Sequence, residues 1–178
     1  MDAHIKAIAE QYAAETQEEA LELLRTLGKI PAPSRQEDLR ATFCRDWLLS
    51  QGASDVTIDK LKNVICKINC TEERELVVFA AHTDVVFPDT DELPMHEADG
   101  KLYAPGIGDD TSNLVNLLMA AKYLLKNRLS TKYGILIVAN SCEEGLGNLD
   151  GIRTLFAAYG DRIRGFYSFD CYMPACCN

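Results

Sequence analysis

The stretch Leu76–Asp84, LVVFAAHTD, decides the fold. Its first six residues are all apolar, a pattern typical of a strand that is buried on both faces. Strands of this kind lie in the middle of largely parallel sheets that helices cover on either side. His82 and Asp84 follow directly. The stretch therefore brings an imidazole and a carboxylate to the carboxyl end of a central strand, where open α/β sheets bind their ligands.

Two helices are predicted before this strand. Apolar residues at three- and four-residue steps predict a helix over the first thirty residues, with a break near Thr16 and an end at Gly28 and Pro31. Ser34, followed three residues later by Glu37, has the pattern of a capping box and predicts the start of a second helix.

Strands and helices then alternate, which favours a three-layer α/β/α domain with a mostly parallel central sheet. We treat residues 1–178 as one domain of this class, since the length suits a single core. The further predicted strands are Val56–Asp59, Asn63–Ile68, Tyr133–Ala139 and Gly165–Phe169, and the further predicted helices are Asn113–Leu129 and Gly151–Tyr159.

Composition excludes several classes of protein. The net charge of −9 opposes nucleic-acid backbones and anionic membranes, and no stretch approaches the ~20 apolar residues of a membrane span. Seven cysteines form an odd set without repeated spacing, which favours reduced thiols and a cytoplasmic location. The groups Cys66/Cys70 and Cys171/Cys176/Cys177 lack the paired short spacing of structural zinc sites.

Further acidic residues stand beside the other predicted apolar elements. Asp109 and Asp110 precede the helix that begins near Asn113, Glu143 and Glu144 follow the second apolar strand, and Asp170 follows the last strand. The glutamate pair and Asp170 would lie at the same sheet edge as His82 and Asp84. So many carboxylates can share one place only if cations or water compensate their charge.

Each cluster also has an ordinary explanation. His82 and Asp84 could be a loop histidine beside a solvated aspartate. Asp109 and Asp110 could cap the following helix, and an aspartate at a strand end, such as Asp170, is often a turn residue. Together, however, the clusters supply carboxylate oxygens and one imidazole, a donor set that suits zinc, cobalt or manganese in a two-metal hydrolytic site.

At this point the chain resembles the dinuclear zinc metallopeptidase family that includes glutamate carboxypeptidase, peptidase T, and the acetylornithine and succinyl-diaminopimelate deacylases. The resemblance rests on three motifs that occur in the family's order: His82-Thr83-Asp84, Gly106-Ile107-Gly108-Asp109-Asp110 and Glu143-Glu144-Gly145. It implies an exopeptidase that hydrolyses peptide or amide bonds in small peptides with two Zn²⁺ ions, or with Co²⁺ or Mn²⁺ in their place.

The resemblance also implies a role for each site residue. His82 and Asp170 would bind the first metal, and Asp109 would bridge both ions. A cis peptide would join Asp109 to Asp110. Glu144 would bind the second metal. Asp84 would orient His82, and Glu143 would act as the general base.

Some features depart from the family pattern. Thr111, Cys142 and Cys171 stand where the family commonly has lysine, aspartate and glycine. Family members are also substantially longer, and a histidine that completes their second metal site comes after the position of Asp170. The other histidines here, His4 and His96, do not lie at that position, and His96 is expected in a surface loop.

Three hypotheses follow. The chain is the amino-terminal part of a zinc exopeptidase, completed by a homo-oligomer or by a complementing chain that covers an exposed sheet edge. Alternatively it is a catalytically inactive remnant that binds one metal or only self-associates. A nucleotide-binding α/β module is the third, but the acids after Gly106-Ile107-Gly108 would repel phosphate.

Overall fold

The computed structural model of the chain describes residues 3–171. Within that range the elements in chain order are α1 (Ala3–Lys29), α2 (Asp38–Ser50), β1 (Val56–Ile58), β2 (Val64–Ile68), β3 (Leu76–His82), β4 (His96–Ala98), β5 (Lys101–Tyr103), α3 (Ser112–Asn127), β6 (Gly134–Asn140), α4 (Asp150–Tyr159) and β7 (Ile163–Ser168). A kinked turn at residues 107–111 leads into α3.

Five strands form the central sheet in the order β1-β2-β6-β3-β7. β3 is parallel to both of its neighbours, β6 and β7, whereas β2 runs antiparallel to β6 and β1 antiparallel to β2. Four of the five strands therefore point the same way, which confirms the predicted mostly parallel sheet. β4 and β5 form a separate hairpin.

Helices cover both faces of the sheet. Ile135, Ile137 and Ala139 of β6 pack with residues of α1, α2 and α3 in the larger core cluster. Leu136 and Val138, which alternate with them, pack with Leu155 of α4 on the opposite face. Because successive side chains of a strand point to opposite faces, an all-apolar strand can fill two cores at once, as the sequence predicted for this fold class.

Two details of α1 differ from the prediction. The helix is continuous through Thr16, whose hydroxyl donates a hydrogen bond to the Tyr12 carbonyl one turn back, 2.7 Å away. This bond satisfies the hydroxyl without breaking the helix. Gly28 lies inside the helix rather than ending it. A Cβ at this position would approach the terminal side-chain carbons of Met95 and Ile107 to 2.7 and 2.8 Å, so a larger residue would require these side chains to move.

Two further predictions concern the surface. His96 is exposed, but it lies in β4 and stacks on Tyr103 with ring centroids 4.8 Å apart, so it is not in a loop. Among residues 3–171, β7 is an edge strand of the sheet. Tyr167 in β7 and Phe169 just after it leave about half of their surface exposed while stacking on Phe79. That another chain covers this edge stays a prediction.

The five cysteines in the described range are all free thiols, and Cys176 and Cys177 lie outside the described residues. No helix among residues 3–171 combines the length and the hydropathy that crossing a membrane requires.

We expect Leu118→Ala to lower the free energy of unfolding by about 2–5 kcal/mol, because the fully buried side chain of α3 would leave a cavity in the larger core cluster. Leu146→Ala, which truncates a leucine that is 91% exposed, is the matched control and should change stability by less than about 0.5 kcal/mol. Urea titration followed by circular dichroism measures both. Equal effects would contradict the described core.

Candidate metal centre

The imidazole of His82 is fixed at the end of the central strand. The side chain is 2% exposed, and the backbone N–H of His82 donates to Oδ2 of Asp110 at 3.1 Å. Ring atom Nδ1 lies 2.9 Å from the backbone oxygen of Asp84, and Nε2 lies 3.0 Å from Oδ1 of Asp109. If Nδ1–H donates to the Asp84 carbonyl, Nε2 presents its lone pair towards the acidic cluster, as a metal ligand does.

Asp84 holds the loop that carries the glutamate pair. Its buried carboxylate accepts the backbone N–H of Glu143 on Oδ1 and that of Glu144 on Oδ2, both at 3.0 Å. The Ser34 hydroxyl donates to Oδ2 at 2.6 Å. Oδ1 lies 3.6 Å from Nδ1 of His82. Asp84 thus contacts His82 through its backbone carbonyl, while its carboxylate fixes the positions of Glu143 and Glu144.

Asp109 and Asp110 are joined by a cis peptide bond, as the resemblance implied. The Asp109 side chain is about half exposed, whereas Asp110 is buried and accepts a hydrogen bond from the Asn113 side-chain amide at 2.7 Å. The residue preceding α3 is Thr111, which makes no side-chain capping bond. The arrangement therefore does not support the explanation of these two acids as helix caps.

The predicted site residues come together into two overlapping groups. In the first group, ligand atoms of His82, Asp109 and Asp170 all lie within 4.8 Å of one another. In the second group the same holds for His82, Glu143 and Glu144. The parallel alignment of β3, β6 and β7 explains this meeting, because the carboxyl ends of all three strands reach the same edge of the sheet.

The crowding of acids changes the protonation of the site. Burial acts to lower the pKa of His82, but the carboxylates of Asp84, Asp110 and Glu143 outweigh it and raise that pKa to about 10. Burial raises the pKa of Asp110 to about 7 and also raises the pKa of Glu143 and of Glu144. These are the shifts expected of an anionic cluster that gains stability from protons or from cations.

The donor set fits a bound metal. One neutral imidazole nitrogen with several carboxylate oxygens suits zinc, cobalt and manganese. A cation would relieve the mutual repulsion of the carboxylates, in the same way as the proton that the raised pKa of His82 favours. The predicted ligands His82, Asp109, Glu144 and Asp170 are the residues that could hold it, with Glu143 beside them.

Sequence reasoning missed the residues that position this cluster, and it was wrong about the capping box. α2 begins at Asp38, and Ser34 donates to Asp84 instead of capping the helix. The buried Glu37 accepts the N–H of Arg35 at 2.8 Å and of Cys142 at 3.0 Å. The Ser-x-x-Glu pattern was visible, but local spacing predicts only a local partner.

A row of side-chain acceptors supports the segment from 141 to 144. The N–H of Ser141 donates to Oδ1 of the buried Asn63 at 3.0 Å. The next three N–H groups donate to Glu37 and Asp84. Each of the four backbone donors thus has an acceptor from a distant part of the chain. The loop carrying Glu143 and Glu144 is therefore fixed by long-range bonds.

Comparisons with known proteins agree with this arrangement. The family model described as Peptidase family M20/M25/M40 matches residues 78–177. No curated protein sequence matches significantly.

Among solved structures, the chain is similar to aminopeptidase PepT from Bacillus cereus, with a TM-score of 0.70, 19% identity and coverage of 88% of this chain and 44% of that one. It is also similar to human carnosine dipeptidase 1, with a TM-score of 0.70, 19% identity and coverage of 92% of this chain and 40% of that one. For the dipeptidase Dug1p from Saccharomyces cerevisiae the TM-score is 0.66 and the identity 19%, with coverage of 91% of this chain and 40% of that one. These likenesses confirm the fold. The chain spans less than half the length of each of these three structures.

We expect Asp84→Asn to lower the free energy of unfolding by about 1.5–3 kcal/mol, because an amide nitrogen cannot accept from one of the two glutamate N–H groups. Asp46→Asn makes the same chemical change at an exposed surface ion pair and should cost less than about 1 kcal/mol. Urea unfolding of the metal-free chain compares the two. A loss no larger than that of Asp46→Asn would show that Asp84 does not hold the glutamate loop.

Proposed function

Since the chain belongs to the M20/M25/M40 peptidase family, we propose that it carries the metal centre of a zinc-dependent exopeptidase acting on small peptides. One observation carries this proposal: His82 is the shared member of two groups of acidic side chains at the carboxyl ends of parallel strands. The structures similar to it include an aminopeptidase and dipeptidases, which supports small peptides as the substrate class.

The proposed ligand assignment follows the two groups. His82 and Asp170 would hold one zinc ion, Glu144 would hold the other, and Asp109 would be shared between them. Asp109 suits the bridging position because its Oδ1 lies 3.0 Å from His82 Nε2 while half of its side chain faces outward. When bound, the zinc ions would polarise the scissile carbonyl and lower the pKa of a water molecule between them.

Glu143 is the proposed general base. Its backbone is held by Asp84, and its half-buried carboxylate lies beside the ligand groups. Burial raises the pKa of Glu143, which makes its carboxylate a better proton acceptor near neutral pH. Glu143 takes a proton from the attacking water and passes it to the leaving amine. Asp84 and His82 keep the proton acceptor Glu143 and the metal ligands in fixed positions during this proton transfer.

A second candidate is a chain that binds one metal without catalysis. His82 appears in both groups, yet its Nε2 can bind only one ion. Within the described residues the other histidines lie in α1 and in the β4–β5 hairpin, away from the strand ends. If His82 binds the ion held with Asp109 and Asp170, the group with Glu143 and Glu144 has only carboxylates left as donors. We therefore expect tight binding of the first ion and weaker binding of the ion held by Glu144.

The proposed partners follow from the sheet edge. Within the described residues β7 pairs on one side alone, and the aromatic side chains of Tyr167 and Phe169 are about half exposed. This supports a second copy or a complementing chain in the working enzyme. That residues 1–178 form one domain and that the protein acts in the cytoplasm also remain predictions, which rest on length and composition.

We expect the metal-stripped chain to bind at least one zinc ion, and Asp109→Asn to weaken that binding strongly because Asp109 belongs to the first ligand group. A ligating His82 must lose a proton, since its pKa is raised to about 10 without metal. The zinc affinity should therefore rise by about tenfold for each pH unit between pH 6 and 8. Isothermal titration calorimetry measures the stoichiometry, the affinity and the proton release.

The control for that titration is Asp91→Asn, which removes a negative charge from an exposed loop and should leave the zinc affinity unchanged. If the wild-type chain bound no zinc, or if both variants weakened binding equally, the proposed centre would be refuted.

We expect Glu143→Gln to lower kcat for any peptide the zinc-loaded chain hydrolyses by at least about 10²-fold, because it removes the general base. KM and zinc content should change little. Hydrolysis of a panel of dipeptides and tripeptides is measured by amine release, with Glu73→Gln in an exposed turn as the control. Zinc binding without hydrolysis by the wild type would instead favour the non-catalytic candidate.

A further inference from the structure

Arg40 of α2 is a charged side chain inside the protein. It is completely buried, and its guanidinium has three hydrogen-bond acceptors. Nε donates to the Ile30 carbonyl at 2.8 Å, while Nη1 donates to the Thr83 carbonyl at 2.9 Å and to the Thr111 hydroxyl at 3.0 Å. All three acceptors are uncharged, so the guanidinium is buried without a carboxylate bound to it.

These contacts reach two of the three segments that carry the first ligand group, those of His82 and Asp109. Thr83 lies between His82 and Asp84, so its carbonyl belongs to the backbone that sets the position of the imidazole. Thr111 follows the Asp109-Asp110 pair, and it closes the turn that begins at Gly106. Its hydroxyl donates to the Gly106 carbonyl at 2.7 Å, and its N–H donates to the same oxygen at 3.2 Å. Nη1 of Arg40 therefore links the His82 loop to the Asp109 loop.

The turn held by Thr111 has little freedom to move. Gly106 has a φ of 65°, and a Cβ at this position would lie 2.3 Å from a methyl carbon of Val85. The turn thus packs directly against the residue after Asp84. A displacement of Thr111 would be transmitted to Asp109, whose carboxylate is in contact with His82.

Stability alone gives a weak reason for a guanidinium at this place. Burying a guanidinium costs free energy that a well-packed apolar side chain would not incur. Burial lowers the pKa of Arg40 to about 10, although the Asp84 carboxylate acts to raise it. Nη2 is buried and has no partner among the described residues. One nitrogen of the buried guanidinium therefore lacks a hydrogen-bond partner among the described residues. The geometry of the three hydrogen bonds, rather than the burial of the side chain, is what sets Arg40 apart.

We propose that Arg40 is a positioning residue of the metal centre, which sets the separation between His82 and Asp109 by binding the Thr83 carbonyl and the Thr111 hydroxyl with one nitrogen. The proposal rests on the proposed metal-dependent function and assigns to that site a residue that touches neither metal nor substrate. Nε holds the guanidinium on the Ile30 carbonyl, so that the planar group keeps Nη1 in a fixed position between the two loops. A lysine ammonium has no second nitrogen to be held in this way.

The test is Co²⁺ binding to the metal-stripped chain, followed by its visible absorption spectrum, which reports ligand geometry. Arg40→Met should weaken Co²⁺ binding by about 10–100-fold, as is typical for residues that support ligands, and should shift the d–d bands. Arg40→Lys keeps the charge and should remain close to the Met variant. Arg74→Met is the matched control, since Arg74 also donates to two backbone carbonyls, of Asn69 and Thr131, but before β3 and away from the centre.

A milder variant keeps the test informative if Arg40→Met does not fold. Thr111→Val removes the hydroxyl that Nη1 binds and leaves Arg40 in place. It should weaken Co²⁺ binding towards the low end of the same range and shift the same bands, while circular dichroism shows a folded chain.

The outcomes separate this inference from the proposed function. Failure of the wild-type chain to bind Co²⁺ would refute both. If the wild-type chain bound Co²⁺ and Arg40→Met kept the same affinity and spectrum, the positioning role alone would be refuted. The same result in a folded Thr111→Val variant would refute it too. Restoration of wild-type affinity by Arg40→Lys would also overturn it, because charge rather than geometry would then be what matters.

Discussion

The hydrogen bonds accepted by the buried Asp84 carboxylate are the interaction on which the candidate centre depends. One side chain at the end of β3 binds the backbone N–H groups of Glu143 and Glu144 and the hydroxyl of Ser34. It thereby connects the segment before α2, the central strand and the loop after β6. Burial acts to raise the pKa of Asp84, but the His82 ring and these hydrogen bonds outweigh it and keep the pKa low. A charged carboxylate at this position suits an accepting role.

The fold, and the meeting of His82 with the acids that follow β6 and β7, could be predicted from the sequence for a shared physical reason. Asp109 does not follow a strand, and its place in the site was implied by the family resemblance alone. A run of apolar residues such as Leu76–Ala81 is most stable as a strand in the middle of a sheet with both faces covered. Parallel neighbours then bring their carboxyl ends to one edge, and polar residues immediately after those ends must meet there. The prediction required only the order of strand and acid along the chain. It did not require any knowledge of packing.

The supporting residues were not accessible in this way. Ser34 and Glu37 have the local pattern of a helix cap, but Ser34 binds Asp84, and Glu37 binds the distant Cys142 as well as the nearby Arg35. Arg40 resembles any arginine on a helix until the tertiary structure buries it. Gly28 was interpreted as a helix end because local preference favours that, whereas two distant side chains determine its position. In each case a tertiary contact prevails over a local preference.

The ligands of the candidate centre differ in how firmly the fold holds them. His82 ends a strand that is hydrogen-bonded on both sides, and Asp109 lies in the turn that packs against Val85. Asp170 comes just after β7, which has one neighbouring strand among residues 3–171 and a partly exposed surface. Edge strands open locally at a smaller free-energy cost than central ones. The residence time of a metal ion at this centre would then be limited by fraying of the sheet edge, so that anything covering β7 would also slow the release of the ion.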